Sequence, residues 1–377
     1  MKRDIFTPEH QLFREQFRRF AKQHLEPKIP EWNTRGQSDR ASWRLMGEGG
    51  YLGPSMPAEY GGGGGDFLYE AIVIEEMAYL RAHGLQSSLH SDICMPYLLH
   101  YGTREQKERW LRPAISGECL LAIAMTEPST GSDLANVQTR ARRDGDEYVI
   151  DGAKTFISNG QNCDLVIVVA KTDPQAAPAH RGISLILVPT TAPGFARGKK
   201  LDKLGLRGQD TSEMFFSECR VPCANLLGDE GRGFKQLMTQ LQQERLTIAI
   251  GSIASCRRAL DDTIAYVKDR KAFGQSIATF QNTQFKLAEL ATQVEVGQAF
   301  VDQLLVRHVR GDDLVMEASM AKLWTTDLQK RLTSECLQLF GGYGFMLDYP
   351  IASDYADAAV QTIYAGTNEI MKLIIAR

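Results

Sequence analysis

Residues 124–133 read AMTEPSTGSD, and this stretch decides the fold because it stands where a helical pattern gives way to a β-rich one. It overlaps the end of the apolar run 120–125 and is rich in small and hydroxyl-bearing residues. A loop of this kind after a strand lets backbone N–H groups and hydroxyls approach a ligand closely. An ordinary β-turn with Pro and Gly explains the same composition and, for the stretch taken alone, is the favoured interpretation.

Downstream of this loop, short apolar runs alternate with turn-forming pairs. The runs occupy residues 120–125, 148–150, 165–169, 183–188 and 214–216. The pairs between them are Asp144-Gly145, Asp151-Gly152, Asn159-Gly160 and Pro193-Gly194. Such pairs are typical of tight turns between strands. The pattern therefore predicts a compact β domain, a barrel or a sandwich, over residues 121–230.

Helical periodicity dominates on both sides of this region. Residues 8–25 place apolar side chains on one stripe, with Thr7 as predicted N-cap and Pro8 at the first helical position. Five glycines at 61–65 predict a loop, after which the helical pattern resumes. Further helical patterns cover residues 255–272, 281–309, 314–340 and 359–376. The predicted fold class is α+β and multidomain, with an N-terminal α-helical domain (1–120), the middle β domain (121–230) and a C-terminal four-helix bundle (231–377).

Composition and charge exclude several classes of function. The chain has 377 residues, of which 43% are hydrophobic and 24% charged, as in ordinary soluble globular proteins. A net charge of −3 offers no general attraction to nucleic acid or to an anionic membrane. The basic residues Arg197, Lys199, Lys200 and Lys203 are too sparse to change this, and a solvated loop is their expected state.

The cysteines and the lengths of the apolar runs indicate the cellular compartment of the protein. Seven cysteines, an odd number without repeated close spacing, indicate reduced thiols, and no zinc-like spacing predicts a metal site. The N-terminus runs into a charged helical pattern without an apolar signal core, and no apolar run is long enough to span a bilayer. We therefore expect a cytoplasmic protein with neither a membrane nor a nucleic acid as its partner.

Several motifs in this α, β, α order resemble those of acyl-CoA dehydrogenases, and the resemblance covers essentially the whole chain. Residues 124–133 are similar to the family's signature, which implies that Met125 and Thr126 line the isoalloxazine ring of FAD and that Ser132 touches substrate. Residues 154–160 read KTFISNG, an alternating strand with Phe156 and Ser158 on one face. The family usually has Trp and Thr at these two positions. The resemblance implies flavin contact for both, whereas a core Phe and a surface Ser are the alternative.

Further FAD contacts implied by the resemblance lie toward the C-terminus. Residues 269–274 read DRKAFG and resemble a segment in which an Arg, together with a later Gln, binds FAD from the adjacent subunit. The matching positions in this chain are Arg270, Phe273, Gln281, Gln338, Gly341, Gly342, Thr367 and Glu369. Because some of these contacts cross a subunit boundary in the relatives, the resemblance implies a homo-oligomer, a tetramer.

The position of the catalytic carboxylate decides whether such an enzyme is active. Residues 364–369 read YAGTNE and resemble the segment that often places a catalytic Glu between Tyr and Gly, but Ala365 stands there. Glu244 shares a helical stripe with Leu237 and Leu241, although a surface Glu beside Arg245 is the alternative. By resemblance to the long-chain and isovaleryl members, Glu244 is the base.

The same resemblance implies the other contacts at the reacting carbons. The backbone N–H of Ala365 would donate to the thioester oxygen. Gln242, Arg245 and Gly366 would contact substrate.

These assignments together predict FAD-dependent α,β-dehydrogenation of a saturated acyl-CoA to the trans-2-enoyl-CoA, as in fatty acid β-oxidation. Glu244 would take the α-proton, flavin N5 the β-hydride, and an electron-transfer flavoprotein the electrons. The long-chain class is the closest resemblance, including the stretch Met95-Pro96-Tyr97. An acyl-CoA oxidase or flavin monooxygenase of the same architecture, and a non-catalytic acyl-CoA-binding scaffold, are the alternatives.

Overall fold

The N-terminal part of the chain is helical. The structure is a computed structural model and describes residues 3–377; Met1 and Lys2, the first residues of the predicted N-terminal domain, lie outside the described residues. The helices are α1 (Pro8–His24), α2 (Ile29–Arg35), α3 (Arg40–Glu48), α4 (Phe67–Leu80), α5 (Met95–Tyr101), α6 (Arg104–Gln106) and α7 (Arg112–Ile115). Two π-helical segments, Leu89–Cys94 and Lys107–Leu111, lead into α5 and α7. The predicted cap of α1 is confirmed, because the Thr7 side chain accepts a hydrogen bond from the His10 N–H.

The middle of the chain forms a curled sheet. Its strands are β1 (Leu121–Ala124), β2 (Arg140–Asp144), β3 (Glu147–Ser158), β4 (Leu165–Lys171), β5 (Ile183–Pro189), β6 (Phe195–Lys200) and β7 (Thr211–Pro222). The seven strands follow the order β1-β4-β2-β3-β7-β6, and β5 pairs with β4. β1 runs parallel to β4, whereas β5 runs antiparallel to it. A sheet between two helical parts confirms the predicted fold class.

Strand β4 is buried on both faces, which explains its unbroken apolar sequence. Leu165 and Ile167 pack into the core of the N-terminal helices, while Val166 and Val168 pack inside the sheet. A strand covered on both sides has no solvent face and therefore no alternation of apolar and polar residues. The N-terminal helices and the sheet consequently share one core.

The predicted turn at Asp151-Gly152 is wrong. Both residues lie inside β3, where the register shifts between Ile150 and Gly152 and bends the strand. Gly152 has φ +154°, and a Cβ at this position would lie 2.5 Å from the Thr139 hydroxyl. The glycine therefore permits a β-bulge that brings β3 against a neighbouring segment, and no chain reversal occurs there.

The predicted solvated loop around the basic residues is also wrong in part. Arg197, Lys199 and Lys200 belong to β6, the strand at one end of the sheet. The Arg197 guanidinium donates to the backbone carbonyls of Gly160 at 3.2 Å and Cys163 at 2.6 Å. Charged residues are common on such edge strands because they discourage pairing with another chain.

The C-terminal part is a helical bundle with one long member. Its elements are α8 (Gly233–Asp269), β8 (Lys271–Ala272), β9 (Gln275–Ser276), α9 (Gln281–Val309), α10 (Val315–Phe340), α11 (Pro350–Gln361) and α12 (Asn368–Ile375). Helix α8 has 37 residues, begins well before the predicted start at residue 255, and packs against α4, α9 and α10. The helix predicted over 359–376 is wrong as a single element, because Ala365 at φ +50° and Gly366 at φ +90° break it.

Three further observations concern the chain as a whole. None of the helices within residues 3–377 is long and apolar enough to cross a membrane. In the same residues no three His, Cys, Asp or Glu side chains are grouped so that they could hold a metal ion. All seven cysteines carry free thiols, and Cys223 is the one that is not buried.

Two helix glycines differ in the space around them and give a test of the packing. A Cβ on Gly47 in α3 would lie 2.2 Å from the Ser116 carbonyl oxygen, whereas one on Gly251 in α8 would meet its nearest neighbour, Ile74, at 3.7 Å. Gly47→Ala is therefore expected to lower the free energy of unfolding by about 1–3 kcal/mol. The matched control Gly251→Ala should leave it unchanged or raise it by up to about 1 kcal/mol. Urea unfolding measures both, and equal effects would contradict the close contact of α3 with Ser116.

Candidate active site

Glu244 lies on α8 with its side chain in the protein interior. The residue is 4% exposed, and its Oε1 accepts a hydrogen bond from the Tyr97 hydroxyl at 2.8 Å. Tyr97 belongs to α5, so this bond joins the N-terminal helices to the C-terminal bundle. Leu237 and Leu241 of the predicted stripe are buried as well. The burial excludes a surface Glu, which was the alternative interpretation of the pattern.

The surroundings of Glu244 suit it to proton transfer. Burial raises the pKa of Glu244 to about 7, while the Tyr97 hydrogen bond and the positive charge of Arg245 act in the opposite direction. Burial also raises the pKa of Tyr97, so that its hydroxyl remains a neutral donor. A carboxyl group whose pKa lies near neutrality can take up and release a proton at little cost.

Arg245 is the second buried charge of this helix segment. The residue is 4% exposed, and its Nη1 donates to Ser319 Oγ on α10 at 3.4 Å. Its Nε is buried and has no hydrogen-bond partner within residues 3–377. Burial lowers the pKa of Arg245, against the opposing effect of the Glu244 charge. A buried guanidinium with an unused donor is suited to binding an acceptor group of a ligand.

The loop that contains Ala365 is fixed by Lys322 of α10. The fully buried Lys322 donates from Nζ to the Gly366 carbonyl and to Asn368 Oδ1, both at 2.9 Å. Arg245 bonds to Ser319, which is three residues before Lys322 on α10, so these two cations lie near each other. Burial, followed by the charge of Arg245, lowers the pKa of Lys322 to about 8. Glu244 and the Ala365 loop, far apart in sequence, are thereby brought to one region of the fold.

The predicted flavin contacts of the sheet are also brought together. The Thr126 carbonyl accepts a hydrogen bond from the Thr155 N–H at 3.0 Å, which places the two motifs side by side. Phe156 has φ +59° beside a register shift of β3 and is 67% exposed, and Ser158 is half-buried. An exposed aromatic ring next to hydroxyl groups fits the flat, polar-edged isoalloxazine ring. The exposure excludes a core Phe at this position.

A buried ion pair holds these two motifs in place. Lys154, which is fully buried, donates to Glu127 Oε1 at 2.9 Å and to the Met125 carbonyl at 3.0 Å. Glu127 also accepts a hydrogen bond from the Thr139 N–H at 2.9 Å. Burial would raise the pKa of Glu127, but Lys154 and these donors lower it overall. Neither charge was singled out from the sequence, where both stand inside the quoted motifs as ordinary polar residues.

Four of the predicted FAD contacts line one cavity of about 430 Å³. They are Arg270, Gln338, Gly341 and Gly342. The Arg270 guanidinium lies 5.5 Å from the ring centroid of Tyr343 and is exposed, so its donors are open to a diphosphate. Phe273, Gln281, Thr367 and Glu369 are not part of this lining within one chain.

Two predicted substrate contacts, Gln242 and Ser132, have other surroundings in the structure. Gln242 Oε1 accepts a hydrogen bond from the Leu314 N–H at 3.0 Å, and its amide nitrogen donates to the Thr239 carbonyl at 3.3 Å. The Gln242 amide thus fixes the start of α10. Ser132 lies on the exposed loop that follows β1. Substrate contact by either residue stays a prediction.

Comparison with known proteins gives consistent matches along the chain. Profiles of the N-terminal, middle and C-terminal domains of acyl-CoA dehydrogenases match residues 7–118, 122–219 and 231–377. "Long-chain specific acyl-CoA dehydrogenase, mitochondrial" of Rattus norvegicus is 48% identical over 376 residues, which cover 100% of this chain and 87% of that protein. "Isovaleryl-CoA dehydrogenase, mitochondrial" of Pongo abelii is 37% identical over 374 residues, 98% of this chain and 88% of that protein. The crystal structure of acyl-CoA dehydrogenase from Geobacillus kaustophilus has a TM-score of 0.98 at 48% identity, covering 100% of this chain and 99% of its own.

Glu244→Gln is expected to stabilise the folded protein in a pH-dependent way. The pKa of Glu244 is raised from 4.5 to about 7, so between these values the carboxyl is ionised in the unfolded chain but still protonated in the folded one, which lowers the free energy of unfolding. An amide does not ionise and has no such effect. Below pH 4.5 the carboxyl is protonated in both the folded and the unfolded chain, and the variant should match wild type. Between pH 4.5 and about 7 the variant should gain up to about 3 kcal/mol. Urea unfolding across this range tests the prediction, with Asp261→Asn on the exposed face of α8 as control; a difference independent of pH would contradict it.

Proposed function

The chain belongs to the acyl-CoA dehydrogenase family, and on that premise we propose that it converts a saturated acyl-CoA thioester to the trans-2-enoyl-CoA with Glu244 as base. The enzymes of this family use FAD as their cofactor. The observation that carries the proposal is the buried Glu244 carboxyl, bonded to Tyr97, on a helix whose Arg245 bonds to α10, the helix that also fixes the loop of Ala365. It supports a relocated base in an active enzyme rather than an inactive scaffold.

Removal of the α-proton requires a carboxylate that is aligned with the substrate and shielded from water, because a thioester α-proton is only weakly acidic. Glu244 is shielded by burial, and Tyr97 fixes its orientation through Oε1. Its second oxygen, Oε2, would take the proton. FAD, when bound, would supply the acceptor for the hydride from the β-carbon.

Negative charge develops on the thioester oxygen as the α-proton leaves, and the backbone N–H of Ala365 is the proposed donor to it. Lys322 bonds to the neighbouring Gly366 carbonyl and so fixes the position of this loop. Gly366 has no side chain to obstruct the substrate. The unused Nε of Arg245 would bind an acceptor on the CoA portion.

Two groups of residues would hold FAD. Met125, Thr126, Phe156 and Ser158 would contact the ring system, and Arg270 with its cavity partners would contact the dinucleotide. Phe273 is 95% exposed, and Gln281 stands at the exposed start of α9. Together with Thr367 and Glu369 they are proposed to complete FAD sites, and Arg270 and Gln281 are proposed to contact FAD across a subunit boundary. The proposed assembly is therefore a homotetramer.

Three further parts of the proposal concern the electron acceptor, the cellular location of the protein and the length of the acyl chain. We propose an electron-transfer flavoprotein as electron acceptor, a cytoplasmic location and an acyl group of the long-chain class. The alternatives predict different behaviour of the purified protein. An oxidase or monooxygenase would be reoxidised rapidly by oxygen after reduction, and a scaffold would show no thioester-dependent flavin reduction.

Glu244→Gln is expected to retain FAD but to lose flavin reduction by a saturated acyl-CoA. The amide keeps the size of the side chain and an acceptor for Tyr97 but cannot take a proton, so the rate should fall by about 10²–10⁴-fold or more. Anaerobic stopped-flow absorbance of the flavin measures the rate. Asp261→Asn on the same helix should behave as wild type. Reduction at the wild-type rate in Glu244→Gln would remove Glu244 as the base.

Tyr97→Phe is expected to shift the pH dependence of the reaction. Wild-type kcat/KM should rise through about pH 7, since the base must be ionised. The hydrogen bond from Tyr97 lowers the pKa of Glu244, so its loss should move this rise upward by about one pH unit. At high pH the two proteins should react at similar rates. If kcat/KM of Tyr97→Phe rose at the same pH as that of wild type, the Tyr97 hydroxyl would not act on the base.

A further inference from the structure

A second cavity, of about 250 Å³, lies among the helices that carry the proposed active site. Its lining includes Phe67, Glu70, Asp92, Pro96, Gln243 and His308. These residues belong to α4, to the π-helical segment before α5, to α5 itself, to α8 and to the end of α9. The described lining contains carboxyl, hydroxyl, imidazole and amide groups but no Lys or Arg.

Glu70 and Asp92 form a carboxyl pair in the wall of this cavity. They are 2% and 3% exposed. Glu70 Oε1 accepts hydrogen bonds from the Ser55 N–H at 3.0 Å and the Ser55 hydroxyl at 2.6 Å. Burial raises the pKa of both carboxyl groups, and the nearby charge of Glu70 adds to the effect on Asp92. Such a pair shares one proton because two carboxylates at close range cannot both ionise in the interior.

Two polar atoms beside this pair lack partners. Asp92 Oδ1 and Ser91 Oγ are buried and form no hydrogen bond with any residue in the described part of the chain. Both residues are 3% exposed, and both line the cavity. Buried polar atoms in native proteins are nearly always paired. The cavity is therefore equipped to receive a group that forms hydrogen bonds.

Two residues that line the cavity are sequence neighbours of the proposed base and of its hydrogen-bond partner. Gln243 precedes Glu244 on α8, and Pro96 precedes Tyr97 on α5. The Gln243 amide nitrogen donates to the Asp92 carbonyl at 2.8 Å, which ties α8 to the segment bearing the carboxyl pair. A ligand whose reacting carbons lie at Glu244, and which extends between α5 and α8, would place its far end near Asp92.

We propose that this cavity receives the distal end of the acyl group and selects a chain that ends in a hydroxyl, an inference that rests on the proposed function. A terminal hydroxyl can donate to the Asp92 carboxyl and accept from Ser91 Oγ. A terminal methyl would cover both atoms and exclude water from them, which is unfavourable.

The test compares acyl-CoA substrates that differ at the chain end alone. Unsubstituted, ω-hydroxy and ω-methoxy acyl-CoA thioesters of equal length, from hexanoyl to palmitoyl, would be assayed with the FAD-loaded enzyme by the kcat/KM of flavin reduction. At the length that reaches Asp92, the hydroxyl should be preferred by about tenfold or more over both other ends. The methoxy group tests whether the donor itself is needed, since it has similar polarity but no proton to give.

Two variants locate the preference at the carboxyl pair. Ser91→Ala removes one unpaired atom with little change in volume and should reduce the hydroxyl preference about threefold or more. Asp92→Leu should abolish it and favour the unsubstituted chain. Thr239→Ala, on the exposed face of α8, should keep the wild-type ratio. Because each result is a ratio of two substrates in one protein, a general loss of activity does not imitate it, and Ser91→Ala remains decisive if Asp92→Leu does not fold.

The outcomes separate this inference from the proposed function. Flavin reduction by unsubstituted chains with no hydroxyl preference at any length would refute the cavity proposal alone, as would an equal preference for methoxy and hydroxyl ends. A hydroxyl preference that survives both cavity variants would place its origin elsewhere and refute the proposal. Absence of flavin reduction by every thioester would refute the proposed function and this inference with it.

Discussion

The burial of one carboxyl group, that of Glu244, is the constraint on which the centre of this protein depends. A group that ionises away from water is stable only if other parts of the chain replace the lost hydration. Tyr97 supplies a hydrogen bond from the N-terminal helices, and Arg245 supplies a positive charge from the bundle. Neither helical region can therefore be displaced from the other without leaving this carboxyl unsupported, and the sheet beside them is held by the core that it shares with the N-terminal helices.

Periodicity was sufficient to predict the fold class but not every element. Alternating and helical apolar patterns report which face of a segment is covered, so the order of helical and β-rich regions could be predicted. The Asp151-Gly152 pair could not be assigned correctly, because the same dipeptide suits a turn or a bulge, and the neighbouring Thr139 makes it a bulge. Ala365 is a good helix former, yet it ends up in a left-handed conformation beside a loop fixed by Lys322. Contacts between distant segments decide both cases.

The sequence predicted some residues of the candidate site and missed others, again because contacts between distant segments leave no local pattern. The apolar stripe containing Glu244 left a buried and a surface carboxylate about equally open, and Ala365, by resemblance to the family, favoured the buried base. Tyr97 stands 147 residues away, and no local pattern connects the two. Lys154 and Lys322 were missed because a buried cation has the same sequence signature as an exposed one; only the carbonyls and carboxylates around it reveal the difference. The family resemblance supplied candidate positions for FAD contacts, whereas the structure shows which of them adjoin one another within a single chain.

The length of α8 has a mechanical consequence. Its 37 residues make a rod of about 55 Å, which carries Glu244 along its length and is followed directly by Arg270. Because α8 packs against α10 along its length, a tilt of one end of α8 would displace the residues at its other end. The proposed diphosphate contact at Arg270 and the proposed base Glu244 are thus coupled through one stiff helix, and a kink between them would disturb both.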